Sequence, residues 1–227
     1  MITAASQGMG AACARKLASH GYTVGLMARS PEIVDLAREL GGFAVVGSVT
    51  DPNALAQLVD RAKTDFGRVD ALVNNTGHPA KGDLLDIADG DWQAGFELIL
   101  MNVIRLARLV TPLMLAGGGG AIVNISSLWA VEPHLDGPVS STFRAALGSY
   151  TKLYSERYAA DGIRMNALLP GFVDTYPVKD KFLSAIPMDR VARADEIAST
   201  VLYLLSDEAA YITGQSIRID GGLTRSI

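Results

Sequence analysis

Six short apolar runs rich in β-branched residues alternate along the chain with longer stretches in which apolar positions recur every three or four residues. The runs YTVGLMA (22–28), GFAVVG (42–47), VDALVNN (69–75), GAIVNISS (120–127), GIRMNALLP (162–170) and QSIRID (215–220) read as strands. The stretches 8–20, 31–40, 51–66, 90–115, 138–160 and 193–206 read as helices. This alternation predicts βαβ units, and hence an α/β fold: a Rossmann-type doubly wound parallel sheet in a single domain spanning 1–227. The strand runs are apolar almost throughout rather than at every second position, so helices cover both faces of the sheet. A ligand of such a sheet binds beyond the carboxyl ends of its strands. Gly, Asn, Ser and Thr concentrate in those places: TAASQGMG (3–10), ARS (28–30), NNTGH (74–78), SSLW (126–129) and PGFVDT (170–175).

One position breaks the pattern. Only Met1 and Ile2 precede the turn at Thr3, where a central strand needs about five residues. The reading therefore expects a truncated first strand, with the natural start upstream or residues missing.

Composition narrows the function classes. Of 227 residues 49% are hydrophobic and 19% charged, an ordinary globular mixture, and a net charge of -4 without a Lys/Arg run excludes a nucleic-acid partner. The single Cys13 lies in the apolar stretch GAACARKLA and is expected to be a buried structural thiol, which fits a reducing, cytoplasmic compartment. The N-terminus has no basic segment followed by a long apolar core. Glu97, Arg105 and Arg108 interrupt the most apolar helix, so neither secretion nor membrane insertion is expected.

Five segments in order, TAASQGMG (3–10), NNTG (74–77), IVNISS (122–127), GIRMNALLPGFVDT (162–175) and YITGQSIRIDGG (211–222), resemble the short-chain dehydrogenase/reductase family nearly end to end. The resemblance implies a nicotinamide nucleotide as cofactor. Thr3, Ser6, Gln7, Gly8, Met9 and Gly10 match the family's Thr-Gly-x3-Gly-x-Gly turn, where bare glycine and a helix N-terminus meet the pyrophosphate. Ala4 replaces the first glycine, and its methyl is tolerable where the local φ is negative. After the family's second strand, Ala28 stands where an acidic residue would pair with ribose hydroxyls, and Arg29 is beside it. A guanidinium there favours NADP(H) over NAD(H). Ser48 replaces an aspartate that contacts adenine, Asn75 and Gly77 match the adenosine-ribose side, and Asn74 matches a sheet brace. Pro170, Gly171, Val173 and Thr175 match the segment that holds the nicotinamide carboxamide.

The catalytic positions depart from the family. The resemblance implies a serine that polarises the carbonyl, a tyrosine that exchanges the proton, a lysine that tunes it and an asparagine in a water relay. Ser127 matches the serine. The tyrosine and lysine positions, counted both from Ser127 and back from Gly162, hold Ser140 and Arg144. The asparagine position holds Ile99, and Asn102 would replace it only with a shift of helix register. Tyr154 lies about 21 Å along the same helix from Ser140, and Tyr150 is both too far and on another face. His78, His134 and Tyr176 are ionisable groups placed to reach the substrate pocket, with Trp129 beside them, and no metal site is expected. The segment 176–190 is short and mixed, as for a mobile or open lid.

Three functions follow from this pattern: an oxidoreductase on a small carbonyl, alcohol or imine; a catalytically silent cofactor binder; or a lyase or dehalogenase. The last comes from the family's halohydrin dehalogenase branch, which shares the arginine but has a halide pocket in place of the glycine loop. A homotetramer, formed through the two long helices and the last helix and strand, is what the resemblance implies.

Overall fold

The computed structural model describes residues 1–177 and 180–226. Six parallel strands appear where apolar runs predict them: β1 (Gly25–Ala28), β2 (Phe43–Val46), β3 (Ala71–Asn74), β4 (Gly120–Ile125), β5 (Ile163–Pro170) and β6 (Ser216–Ile219). β1 pairs with β2, and β3 to β6 pair in sequence. Ile2 joins the two groups through single parallel bridges to Leu26 and Val73. The order is thus β2-β1-Ile2-β3-β4-β5-β6, with Met1 and Ile2 alone in the central slot. Their backbone is bonded on both sides, Ile2 N donating to Gly25 O at 2.9 Å and Val73 N to Met1 O at 2.8 Å.

Alternate side chains of each strand feed two apolar layers. Leu26, Ala28, Val73, Val123 and Leu168 pack with Cys13, Leu17, Ile197 and Val201. These come from α1 (Gly8–Ser19) and α8 (Ala194–Leu205), with α2 (Ile33–Glu39) beside them. Met27, Leu72, Ile122 and Met165 pack on the other face with Leu55, Leu58, Leu106, Val110 and Tyr154. Those belong to α3 (Pro52–Phe66), α5 (Asn102–Ala116) and α6 (Pro138–Tyr158). Cys13 is fully buried, and burial pushes its thiol up to about 12, so it is inert at neutral pH.

The long predicted helix 90–115 is not uniform. α4 (Asp89–Phe96) passes into a π-helical turn at Glu97–Met101 before α5 begins. Among the described residues this one stretch, Asp89–Ala116, is long and apolar enough to cross a membrane. The Glu97–Arg105 ion pair and the packing of α5 against the sheet give it the character of a core helix. A short α7 (Asp180–Leu183) falls within the segment expected to act as a lid; Val178 and Lys179 of that segment lie outside the described residues.

Candidate active site

The first turn is held by Thr3 and Asn75. Thr3 Oγ1 donates to Asn75 O at 2.7 Å and accepts from Asn75 N at 2.9 Å, while Asn75 Nδ2 donates to Ala4 O at 3.1 Å. Gly10 fits only because it lacks a side chain, since a Cβ would stand 2.4 Å from Ala4 O. Gly8 has φ +56° and faces the Thr175 methyl, where a Cβ would come within 3.3 Å. Ala4 also has a positive φ, +46°. The condition under which its methyl would be harmless is therefore not met, and the turn holds a left-handed backbone at Ala4 at a strain of about 1 kcal/mol.

Gln7, extended at the N-cap of α1, offers no side-chain cap, and the first turn of α1 carries no acidic residue. The helix thus presents unshielded N–H groups and the positive end of its dipole between Gly8 and Thr175. That arrangement, with a glycine turn tight enough for backbone approach, fits the pyrophosphate of a dinucleotide. Ser6 is partly exposed on the same turn. Arg29 is exposed at the exit of β1 with no side-chain partner among the described residues. Ser48 shares a 2.8 Å hydroxyl contact with Thr50 after β2.

A cavity of about 690 Å³ opens at the carboxyl ends of β3, β4 and β5. It brings together Met9, Asn75, His78, Ser127, Trp129, Ser140, Arg144, Pro170, Gly171, Val173, Thr175 and Tyr176, all from segments the sequence marks out. Thr3, Gly8, Gly10, Arg29 and Ser48, on the turns after Ile2, β1 and β2, lie outside its walls, as does exposed Gly77 after β3. His134 does not line it either. Its ring stacks behind Trp129, with centroids 5.4 Å apart, and its Nδ1 accepts from Asp136 N at 3.1 Å. Gly137 makes room for this arrangement, because a Cβ there would sit 2.4 Å from the Trp129 ring.

Ser127 stands two residues beyond β4 and its Oγ accepts from Trp129 N at 3.3 Å, so it both caps a short turn and lines the cavity. Ser140 and Arg144 lie one turn apart on α6, 7% and 5% exposed. Arg144 Nε donates to Ser140 Oγ at 3.1 Å and Nη1 donates to Ile125 O at 3.2 Å. No carboxylate pairs with it among the described residues, and burial alone pulls its guanidinium down to about 10. It still carries its charge at neutral pH. His78 stands edge-on to Tyr176 at the mouth, 5.0 Å between ring centroids. Burial of its inner side, then the charges of Arg144 and Lys81, hold its pKa below the ordinary histidine value.

Tyr154 plays no part in the cavity; its hydroxyl is 2.6 Å from Thr111 Oγ1 between α5 and α6. Asn74 braces the sheet as expected, Nδ2 donating to Asn124 Oδ1 at 2.8 Å. Behind Arg144 a second hollow of about 10 Å³, room for one water, is lined by Asn74, Thr76, Ile99 and Asn102 among others. Asn74 Oδ1 and Thr76 Oγ1 are buried there without a hydrogen-bond partner among the described residues. Asn102 follows the π-helical turn and lines the hollow together with Ile99, but its amide donates back to Leu98 O. Sequence reasoning missed Thr76, Lys81, Leu135, Phe172 and Phe182 as lining residues. Thr76 stands within NNTG, a segment the sequence marks out, Lys81 and Leu135 lie in loops without a periodic pattern, and the two phenylalanines show themselves only as the apolar exceptions in polar segments.

The fold and this site define a Rossmann-type enzyme of the dinucleotide-binding class. Residues 3–224 match the family model described as Enoyl-(Acyl carrier protein) reductase. The chain belongs to the short-chain dehydrogenase/reductase family of NAD(P)-dependent oxidoreductases. It is 37% identical to "Oxidoreductase UcpA" of Escherichia coli (strain K12), over 99% of this chain and 93% of that protein. It is 34% identical to "3-oxoacyl-[acyl-carrier-protein] reductase FabG" of Thermotoga maritima, over 98% of this chain and 96% of that protein. The L-sorbose reductase of Gluconobacter frateurii, solved with NADPH and L-sorbose, superposes with a TM-score of 0.92 at 30% identity, covering 100% of this chain and 96% of its own.

Proposed function

We propose that this chain is an NADP(H)-preferring oxidoreductase that acts on a small carbonyl, alcohol or imine through a non-standard active site. The observation that carries the reading is a single cavity that runs from Met9, beside the uncapped end of α1, to Ser127, Ser140 and Arg144. Thr3, Ser6, Gln7, Gly8, Met9 and Gly10 would hold the pyrophosphate. Arg29 would fork onto the ribose phosphate, with Ser48 near the adenine and Asn75 and Gly77 along the ribose. Pro170, Gly171, Val173 and Thr175 would hold the nicotinamide end. When bound, the nucleotide supplies or accepts a hydride.

The protein's own part is orientation and charge. Ser127 and Ser140 offer hydroxyl donors to the substrate oxygen. Because Ser140 Oγ already accepts from Arg144, its own proton is left to point into the cavity. An aliphatic hydroxyl cannot be tuned toward neutrality as a phenol can, so the proton comes ultimately from water entering by the mouth, where His78 and Tyr176 stand. An already activated substrate, such as an iminium ion, suits this site because it needs hydride more than acid. Assembly as a homotetramer belongs to the same proposal; Leu153, Tyr203 and Tyr211 are large apolar groups left exposed on α6 and near the chain's C-terminal part.

Fluorescence titration with NADPH and NADH tests the reading. NADPH is expected to bind more tightly, and Arg29→Ala to weaken NADPH by about tenfold while leaving NADH unchanged. Binding of neither nucleotide overturns the proposal, and binding without turnover on a carbonyl and imine panel leaves a silent cofactor binder.

A further inference from the structure

Aromatic side chains gather at the cavity and touch one another there. Trp129 stacks on His134 with ring centroids 5.4 Å apart, His134 meets Phe182 edge-on at 5.8 Å, and Phe182 leans on Phe172 at 4.8 Å. Four rings from three separate segments thus form one continuous array. Trp129, Phe172 and Phe182 line the cavity, while His134 stands behind them as the joint. A second, smaller set, His78 edge-on to Tyr176 at 5.0 Å, lines the same cavity at its mouth. The array is built into the fold, since Gly137 leaves its place to the indole and a Cβ there would stand 2.4 Å from the ring. Trp129, Phe172 and Phe182 nonetheless remain only partly buried, and Tyr176 is 62% exposed. Contiguous aromatic surface held open in a cleft, and not folded into the core, is surface kept for a ligand.

We infer that the substrate of this site is an uncharged aryl ketone or the corresponding benzylic alcohol, its ring held between the Trp129 array and the His78–Tyr176 pair. The inference rests on the reading that this cavity is the substrate pocket of an oxidoreductase. In the reducing direction the carbonyl carbon gains a hydride from the nucleotide and its oxygen a proton from water; the alcohol gives up both in the reverse direction. Ser127 and Trp129 place the carbonyl next to the ring. Ser127 Oγ accepts from Trp129 N at 3.3 Å, so the hydroxyl that would meet the substrate oxygen and the indole come from one short turn. In an aryl ketone the oxygen-bearing carbon and the ring are one bond apart, which suits a donor and an aromatic face set that close. Aromatic rings favour another aromatic ring over an aliphatic one of the same size, beyond what the buried area provides, because their quadrupoles align. A polyol would lay its hydroxyls against Trp129, Phe172 and Phe182, whose rings carry no acceptor atom. The ring of the substrate, and not a charge on it, carries the recognition.

Saturation-transfer NMR titration of the full chain, with NADP+ present so that a ketone is not consumed, tests this with a matched pair of probes. Acetophenone and cyclohexyl methyl ketone share one carbon skeleton and one carbonyl and differ in whether the ring is aromatic. Acetophenone is expected to bind at least about fivefold more tightly, the worth of one or two ring–ring contacts, and Trp129→Leu to remove the preference. Tyr176→Leu, at the exposed mouth, is expected to reduce it by about half and gives the same readout if Trp129→Leu does not fold. Equal binding of the two ketones overturns the inference, as does tighter binding of the cyclohexyl ketone or a preference that survives every folded variant. Tighter binding of L-sorbose than of acetophenone overturns it as well. NADPH fluorescence on the same samples separates the two failures: a protein that binds NADPH without preferring acetophenone loses the aryl substrate and keeps the oxidoreductase reading, whereas one that binds neither nucleotide loses both.

Discussion

On the function we propose, the glycine turn at 3–10 and the cavity wall at 126–144 depart from the family pattern in opposite ways. In the turn, Ala4 replaces a glycine, yet the backbone holds the left-handed conformation a glycine would take. Thr3 and Asn75 clamp it from the sheet, so the substitution costs strain and leaves the geometry standing. In the wall, Ser140 and Arg144 occupy their positions without backbone strain, inside a regular helix, and what changes is the chemistry. A site built from main-chain N–H groups tolerates a change of side chain, because the groups that bind are the ones every residue carries. A site built from a phenol and an amine does not.

The comparison breaks most visibly at the wall. Introducing Ser140→Tyr together with Arg144→Lys is expected to raise kcat/KM for a simple ketone by about 10²- to 10⁴-fold, the usual contribution of a positioned general acid. No gain in steady-state assays would mean that the pocket and not the missing acid limits the reaction. In the turn the largest effect belongs to Gly10→Ala. Its Cβ would meet Ala4 O at 2.4 Å and Asn75 Nδ2 at 2.8 Å, and the loss is expected to be about 2 kcal/mol in chemical denaturation, with NADPH affinity falling alongside.

The other two predictions have the opposite sign. Arg144→Met removes a buried charge that has no carboxylate partner among the described residues and is expected to stabilise the protein by about 1 to 2 kcal/mol. A lower melting temperature for this variant would show that its bonds to Ser140 and Ile125 outweigh its desolvation. Ala4→Gly relieves the positive φ and is expected to add somewhat less, about 0.5 to 1 kcal/mol after the added freedom of glycine in the unfolded chain is subtracted. If melting is unchanged, the clamp from Thr3 and Asn75 absorbs the strain completely.

Much of this was legible in the sequence, and for a definite reason. Strands at 43–46, 71–74, 120–125 and 163–170 lie inside the predicted runs because each is a continuous apolar segment with polar turn residues at its end. Ser127, Ser140 and Arg144 meet in one cavity, as a helix that starts near the end of β4 requires. Less was legible wherever packing across the chain decides. Nothing local tells that Ile2 alone bridges β1 and β3, or that the helix carrying Ile99 takes a π-helical turn. His134 sits behind Trp129 and away from the cavity because Gly137 leaves space for the indole, a contact between loop residues without periodicity.

What the sequence by itself determined is the order of strands and helices and the identity of the groups on offer: a glycine turn with an alanine in it, and a serine and an arginine one turn apart at 140 and 144. Periodicity and turn chemistry are local properties, and a single chain carries them in full. Only the tertiary structure decided that Ala4 is held at positive φ and that Arg144 is buried in a cavity wall with no carboxylate paired to it among the described residues. Strain and an uncompensated charge are relations between a residue and everything packed around it, so they exist only once the sheet, α1 and α6 have come together.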